Sequence, residues 1–599
     1  MRTRKAKDRS RLIQAAMGQI PCDLTIGNVQ FFNVITGEIY PASVDILDGF
    51  VVLVREEGQE AVLPSKSYYD GQGRYLIPGY IDTHMHIEST MMIPENLARA
   101  ILPWGTTTIC TDPHEIGNVM GLDGVRFMLE NAKKSKLRQY VLAPSCVPSL
   151  PGMENAGAEF LAREVGELLD MDDVIGIAEI MDYVGVIHDS ERMHTIIDEG
   201  IRRGMFLQGH APYCFGRELA AYRIGGPVSD HESVNADEVR AKLRAGMHIN
   251  LRASSLIDNL SFLVDGCKDQ PWRDFVSICT DDVHAKDLLT VGHINNVVRK
   301  AVASGLDGRE VVKMATFNAA REYGFDDLGA IAPGYIADIQ LVDALDGSRP
   351  KAVFTEGVLV AEDGKYLGGD CKTADYDLPN TVDLPQITGP ASFELRVPEG
   401  YTGDTIRVNV MVSEDGNRIL RHVEPVELPV RDGVVDISGD PTLVFVCCAN
   451  RYGRGGKTIA VYRDFGLRAG ALASTVSHDS HNFTVSYHDP KDAFRAAEIL
   501  RACGGGVCVI DGEQETHIAL PAAGLMSQKP CAEVADEIAA VQSALDVISD
   551  GQLTLLATAV MALPVLPSVV ITDMGLYLSS HLGSNLILFW VNSTNSKSS

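Results

Sequence analysis

Between residues 81 and 323 the chain alternates short β-rich apolar runs with helix-like stretches, and this alternation restricts the available folds more than any other feature. Strand-like runs occur at 106–110, 140–143, 174–178, 205–207, 247–251 and 275–279. Helix-like stretches such as 124–132 and 238–245 lie between them. Repeated strand–helix units imply a parallel sheet, because parallel neighbours need a long crossover rather than a tight turn. Roughly 240 residues of such units suits a (β/α)8 barrel, for which about 250 is typical.

The flanks read differently. Glycine-punctuated β runs occur at 23–26, 29–34 and 43–49, and similar runs return at 336–343 and 352–354. The first set is too short to hold a core alone. One small sheet domain is therefore expected from residues 1–80 together with 324–375, with the barrel, 81–323, inserted into it. After about residue 375 the composition shifts to a second α/β region with many Gly and Val residues, 376–590. The Ser-rich end, 591–599, is expected to be disordered. The expected fold class is α/β: a distorted (β/α)8 TIM-like barrel inserted in a small β-sandwich domain, plus a C-terminal α/β domain. A length of 599 residues agrees with several domains, since single cores rarely exceed about 250–300 residues.

Composition narrows the partners. A net charge of −28 argues against a general affinity for nucleic acid or anionic membrane. Twelve cysteines are scattered with no Cys-x-x-Cys pair. That excludes a disulfide framework or a structural zinc site and fits a reduced cytoplasm. The basic start, 1–7, precedes a short, polar-interrupted run and does not read as a signal peptide. The apolar segment 553–571 contains Pro564 and Pro567 and reads as buried core rather than a spanning helix.

Chemistry collects where the strand-like runs end. His84 and His86 are one residue apart after Pro78-Gly79, a spacing that puts both side chains on one face of a strand. Asp112, His114 and Glu115 follow the run 106–110, Glu179 the run 174–178, His210 the run 205–207, and His231 follows Ser229-Asp230. Asp281 and Asp282 end the last. Active sites of such barrels are at the C-terminal ends of the strands, so residues far apart in sequence converge there. His84, His86, His210 and His231, with Glu179 and Asp281, suit two divalent ions with nitrogen and oxygen ligands.

These segments also carry a resemblance. Pro78-Gly79-Tyr80-Ile81-Asp82-Thr83-His84-Met85-His86-Ile87-Glu88-Ser89, Asp112-Pro113-His114-Glu115, Ala178-Glu179-Ile180-Met181, Gly209-His210-Ala211-Pro212, Asp230-His231-Glu232 and Cys279-Thr280-Asp281-Asp282 occur in that order. Ser477-His478-Asp479-Ser480-His481-Asn482 follows much later. Together they resemble the amidohydrolase superfamily and, within it, the adenine deaminase family. The resemblance implies hydrolytic deamination of adenine to hypoxanthine and ammonia, with a small purine as substrate. It also implies two divalent metal ions, Mn or Fe, with Zn an alternative.

By matching positions, His84 and His86 hold one ion, His210 and His231 the other, and Glu179 bridges both. Asp281 binds metal and carries the proton, with Asp282 as the alternative. Adenine C6 is a poor electrophile, and two ions would lower the pKa of a shared water toward about 7. Glu115 is the candidate acid for a ring nitrogen, or else a carboxylate that orients a ligand histidine. Glu88 and Arg252 are candidates for substrate contact. His114, His284 and His293 are read as supporting residues. His478 and His481 are open between a further metal, an approach to the active site and a structural role. One departure stands out: where the family carries Arg-Glu-Gly-Ser, this chain reads Arg252-Ala253-Ser254-Ser255. It bears on substrate preference, and the alternative is a related amidohydrolase acting on an N6-substituted or other purine, or on a cyclic amide. A symmetric homo-oligomer, a dimer, is the expected assembly.

Overall fold

The structure is a computed structural model that describes residues 9–58, 62–255, 257–369, 373–414, 417–566, 568–580 and 583–590. The tail 591–599, expected to be disordered, lies outside the described residues, as does Cys371. The eleven other cysteines form no disulfide bond with one another.

Strands from both flanks of the barrel pair in one nine-stranded sheet. Its seam is the antiparallel pair Tyr75–Pro78 and Ile339–Val342, in which Leu76 faces Leu341. The strand Tyr75–Pro78 leads through Gly79 directly into the first barrel strand. That brief connection fixes where the barrel begins relative to the sheet.

The barrel strands are β1 (Tyr80–His86), β2 (Thr106–Thr111), β3 (Arg138–Ala143), β4 (Val174–Ile180), β5 (Phe206–Gly209), β6 (Ser229–Asp230), β7 (His248–Arg252) and β8 (Val276–Cys279, resumed at Asp281–Asp282). Strands β1 to β5 pair in parallel and in sequence, and β6 to β8 do the same. The N–H of Val228 bridges the two groups by donating to the carbonyl of Leu207 at 2.9 Å. The other seam closes where Asp281 and Asp282 pair with Met85 and His86 of β1. The α/β fold class read from the alternation is the one observed. Every residue of β1, β2 and β4 is buried, as expected of a sheet covered on both faces, which explains why these runs lack a polar alternation. At Asp281 the backbone is left-handed, φ 58°, so β8 bends at Thr280 and turns its last carboxylates toward β1.

The C-terminal region is built on a second nine-stranded sheet with helices Pro490–Cys503 and Cys531–Ser549. One apolar cluster runs from the barrel residues Ile87, Met92, Leu97 and Ile101 to Val446, Leu472, Met526 and Leu545 of this region. Among the described residues of 553–571 there is no long helix. They form turns, a short 3-10 turn at Ala559–Met561 and the start of the strand Val569–Thr572, and Leu553, Leu556, Met561 and Ile571 are in the core. Among the described residues no helix is long and apolar enough to cross a membrane.

Candidate metal centre and catalytic pocket

The carboxyl ends of the barrel strands bring His84, His86, Glu179, His210, His231 and Asp281 together. Nε2 of His84 and Nε2 of His86 lie 3.4 and 3.3 Å from Oδ1 of Asp281. Nε2 of His86 is also 3.4 Å from Oε1 of Glu179. The other carboxylate oxygen of Glu179 contacts Nδ1 of His210 and lies 3.2 Å from Nε2 of His231. The rings of His84 and His231 stack with centroids 3.8 Å apart. Glu179 thus spans two groups of ligand atoms, one at His86 and one at His210 and His231. Each of three sets could hold a cation: His84, His231 and Asp281; Glu179, His210 and His231; and His86, Asp112, His114 and Glu179.

Supporting contacts aim the rings. Nδ1 of His86 is 3.1 Å from the carbonyl of Asp112, so it carries the hydrogen and leaves Nε2 facing the carboxylates. Nδ1 of His84 meets Oε1 of Gln208 at 2.9 Å. The amide nitrogen of Gln208 is committed to the carbonyl of Thr83 at 3.3 Å and the hydroxyl of Tyr323 at 3.1 Å. That commitment fixes the Gln208 oxygen as the acceptor for His84. Sequence reasoning missed Gln208, although it is two residues before His210 at the end of the strand Phe206–Gly209, the spacing that puts two side chains of an extended chain on one face.

The donor set fits cation binding on observations of this chain. Nε2 of His84 and both ring nitrogens of His231 are buried without a hydrogen-bond partner. Burial pushes the His231 imidazole down to about 3, so the ring is neutral and offers a lone pair. Unpaired buried polar atoms are costly, and a divalent ion with mixed nitrogen and oxygen ligands removes that cost. Burial alone would raise the Asp281 carboxyl. The neighbouring imidazoles of His84 and His86 and the charge of Arg252 instead hold it well below the usual range. Nη1 of Arg252 is 3.0 Å from Oδ2 of Asp281 and also pairs with Glu232, so its guanidinium is engaged by two carboxylates. Asp282 differs from its neighbour. It accepts the hydroxyl of Ser89, and burial followed by the charge of Asp281 raises its carboxyl.

Glu115 opens the helix His114–Ala132, where the exposed backbone N–H groups favour negative charge. Burial would raise its carboxyl, but His478, His481 and His114 outweigh that and hold it ionised. Oε1 lies 2.6 Å from Nδ1 of His478, and Oε2 accepts from Nε2 of His481. Glu88 accepts the N–H of Ile116 at 3.1 Å and keeps its second oxygen buried without a partner. Burial and the nearby Glu115 push it up to about 7. His114 is 3.0 Å from Oδ2 of Asp112 through Nδ1. The structure leaves His293 away from the cluster, its ring between Thr106 at 3.0 Å and Asp82 at 3.2 Å. His284 donates its backbone N–H to Ser255 at 3.0 Å, and its ring nitrogen Nε2 is buried without a partner.

The profile of the amidohydrolase family matches residues 75–360, and that of the adenine deaminase C-terminal domain matches residues 418–581. The chain is 37% identical over 570 residues to "Adenine deaminase 2" of Carboxydothermus hydrogenoformans, covering 94% of this chain and 97% of that protein. It is 38% identical over 556 residues to the adenine deaminase of Methanothermobacter thermautotrophicus, covering 92% and 97%. The chain belongs to the adenine deaminase family. In this member of the family, Ala253, Ser254 and Ser255 border a cavity of about 210 Å³ lined also by Thr280, Val283 and His293. Ser254 accepts the N–H of Ile257 at 2.9 Å, and Ser255 donates to Asp287 at 2.6 Å. Ser254 therefore ties down its own loop, and Ser255 ties that loop to the helix Ala285–Thr290.

Proposed function

We propose that this protein hydrolyses adenine to hypoxanthine and ammonia at a site holding two divalent ions. The observation that carries the reading is Glu179, whose two oxygens face His86 on one side and His210 and His231 on the other. Its family membership over nearly the whole chain supports adenine as the substrate. His84 and His86 are assigned to one ion, His210 and His231 to the other, Glu179 to both, and Asp281 to a terminal position. When bound, the ions supply the positive charge that makes a shared water acidic enough to attack near neutral pH.

Asp281 is assigned to take the proton of that water and hand it to the departing amino nitrogen, since its carboxylate faces both His84 and His86. Arg252 holds the second oxygen of Asp281 and so limits the rotation of that carboxylate. Glu115 is assigned to proton transfer at a ring nitrogen as C6 becomes tetrahedral. Glu88, buried beside it, is assigned to the purine edge. Mn, Fe and Zn all accept this ligand set; the family resemblance favours Mn and Fe, with Zn the alternative. The protein is expected to act as a homodimer.

The test is reconstitution of the metal-free protein with Mn, Fe or Zn, followed by metal analysis and an adenine assay. About two ions per chain, loss of adenine absorbance and matching ammonia release are expected. Metal uptake without adenine turnover, but with turnover of an N6-substituted purine, would replace adenine as the substrate. Absence of metal uptake would reject the site assignment.

A further inference from the structure

Residues 475–482 form the loop between two paired strands of the C-terminal sheet, Ala471–Ser474 and Phe483–Tyr487. His478, Asp479, Ser480, His481 and Asn482 are all buried. Loops normally run over the surface, because buried polar groups need partners. This loop finds its partners in the barrel. Nδ1 of His481 accepts the N–H of Ser477 at 3.1 Å, so the ring hydrogen is on Nε2 and is donated to Oε2 of Glu115. Nδ1 of His478 lies 2.6 Å from the other oxygen. Oδ1 of Asp479 is 3.6 Å from Nε2 of His114, whose Nδ1 is 3.4 Å from Glu179.

His481 is held in the left-handed region, φ 51°, a conformation of the kind that persists where the surroundings over-determine it. The surroundings here include Asn482, which donates to the carbonyl of Asn155 at 3.0 Å, and Tyr452, which donates to the carbonyl of Ser480. Asn155 is in turn fixed by Asp573 at 3.0 and 2.8 Å.

We propose that this loop completes the catalytic pocket, with His478 and His481 as positioning residues that hold both oxygens of Glu115 in one orientation. The inference rests on the assignment of Glu115 to proton transfer. A carboxylate held through one oxygen can rotate about its last bonds; held through both, it cannot. A misplacement of about 1 Å in a reacting group costs about 10²-fold in rate, so fixing the carboxylate has a direct catalytic effect. Burial would lower the His478 imidazole, but the charge of Glu115 holds it at about 9. The pair therefore keeps a proton at the carboxylate.

The experiment uses the metal-loaded full chain and its His478→Ala, His481→Ala, His478→Asn, His481→Gln and Glu115→Gln variants. Metal content, thermal midpoint, kcat and KM for adenine are measured for each. The alanine variants are expected to keep their metal and to fold with a lowered midpoint, and to lose at least about tenfold in kcat with little change in KM. His478→Asn places an amide nitrogen at Nδ1, and His481→Gln places one at Nε2, so each is expected to recover part of the loss. In the Glu115→Gln background the alanine changes are expected to cost nothing further.

Folded alanine variants within about twofold of the parent, or losses that add to that of Glu115→Gln, would overturn the proposal. Loss of metal would overturn it as well, because the imidazoles would then be ligands. Crystal structures of the alanine variants read the positioning without substrate. Glu115 should spread over several rotamers, and a single unchanged rotamer would contradict the inference even if the parent does not accept adenine. Failure of the parent to turn over adenine rejects the substrate assignment alone.

Discussion

Lys242 is fully buried, and its ammonium lies 2.7 Å from Asp230 and 2.8 Å from Glu238. Asp230 accepts the N–H of Ala211 at 3.0 Å, and Glu238 accepts those of Tyr213 at 2.7 Å and Val234 at 3.0 Å. The triad therefore ties the segment after His210 to the segment around His231. Lys242→Met leaves two buried carboxylates without their cation and is expected to cost about 3–5 kcal/mol, read from urea unfolding. A cost under about 1 kcal/mol would show that the carboxylates find other partners. Asp281→Asn keeps the volume and removes the charge. It is expected to abolish turnover with the fold retained, as read by kcat and far-UV circular dichroism. If Asp282→Asn is the dead variant instead, the proton carrier is Asp282.

Glu322 gives a pH dependence whose sign follows from burial. Desolvation pushes its carboxyl up to about 7, against the hydrogen bonds it accepts from Ser277 and Asn250. The folded chain then holds a proton that the unfolded chain releases from about 4.3. Stability from this group is present at low pH and is lost as pH rises toward about 7. His248 lies 3.3 Å away, and burial lowers it to about 3, so it tilts stability in the opposite direction below its ordinary value. The Glu322 share is isolated by difference. Stability of Glu322→Gln relative to the parent should improve as pH rises through this window, and a constant difference would contradict the assignment.

Among the elements, the parallel strands were legible because burial on both faces writes them as continuous apolar and β-branched runs, as in Val174-Ile175-Gly176-Ile177-Ala178. The six proposed ligands were legible because they follow such runs. The split of β8 was not legible, since nothing in Thr280-Asp281-Asp282 announces a left-handed residue. The destination of Ser477–Asn482 stayed open between a further metal, an approach to the active site and a structural role, because the loop's partners are hundreds of residues earlier in the chain. Helix starts are local and easier to read. Asn235 caps Ala236–Arg244 by accepting two N–H groups at 3.0 Å each, and that helix presents Glu238 and Lys242. Asn235→Ala is expected to cost about 1 kcal/mol, measured by the denaturant midpoint. It should also weaken metal retention at His231, because the same helix anchors that segment. An unchanged midpoint would mean that tertiary packing alone sets the helix start.

For the whole molecule, the barrel and the C-terminal sheet share one apolar cluster. Polar latches join them as well, including Asn96 to the carbonyls of Gln528 and Lys529 at 3.0 and 2.8 Å. The two parts are expected to unfold together. Fluorescence of Trp104, in the barrel, and of Trp590, near the end of the described chain, should report the same urea midpoint in single-tryptophan variants. Two separated transitions would show that the shared cluster does not couple them.

The bond between Glu115 and His481 also has a meaning in time. A chain emerging from the ribosome has all six proposed metal ligands once Asp281 has been made. The imidazole that grips Glu115 arrives roughly 10–40 s later, at about 5–20 residues per second. During synthesis every proposed metal ligand is thus in place in the chain before the imidazole that grips Glu115 exists, and the restraint on that carboxylate comes only when the distant hairpin packs against it. On the proposed assignments, the ligands for the ions and the grip on Glu115 are thus made at different times in the synthesis of a single polypeptide.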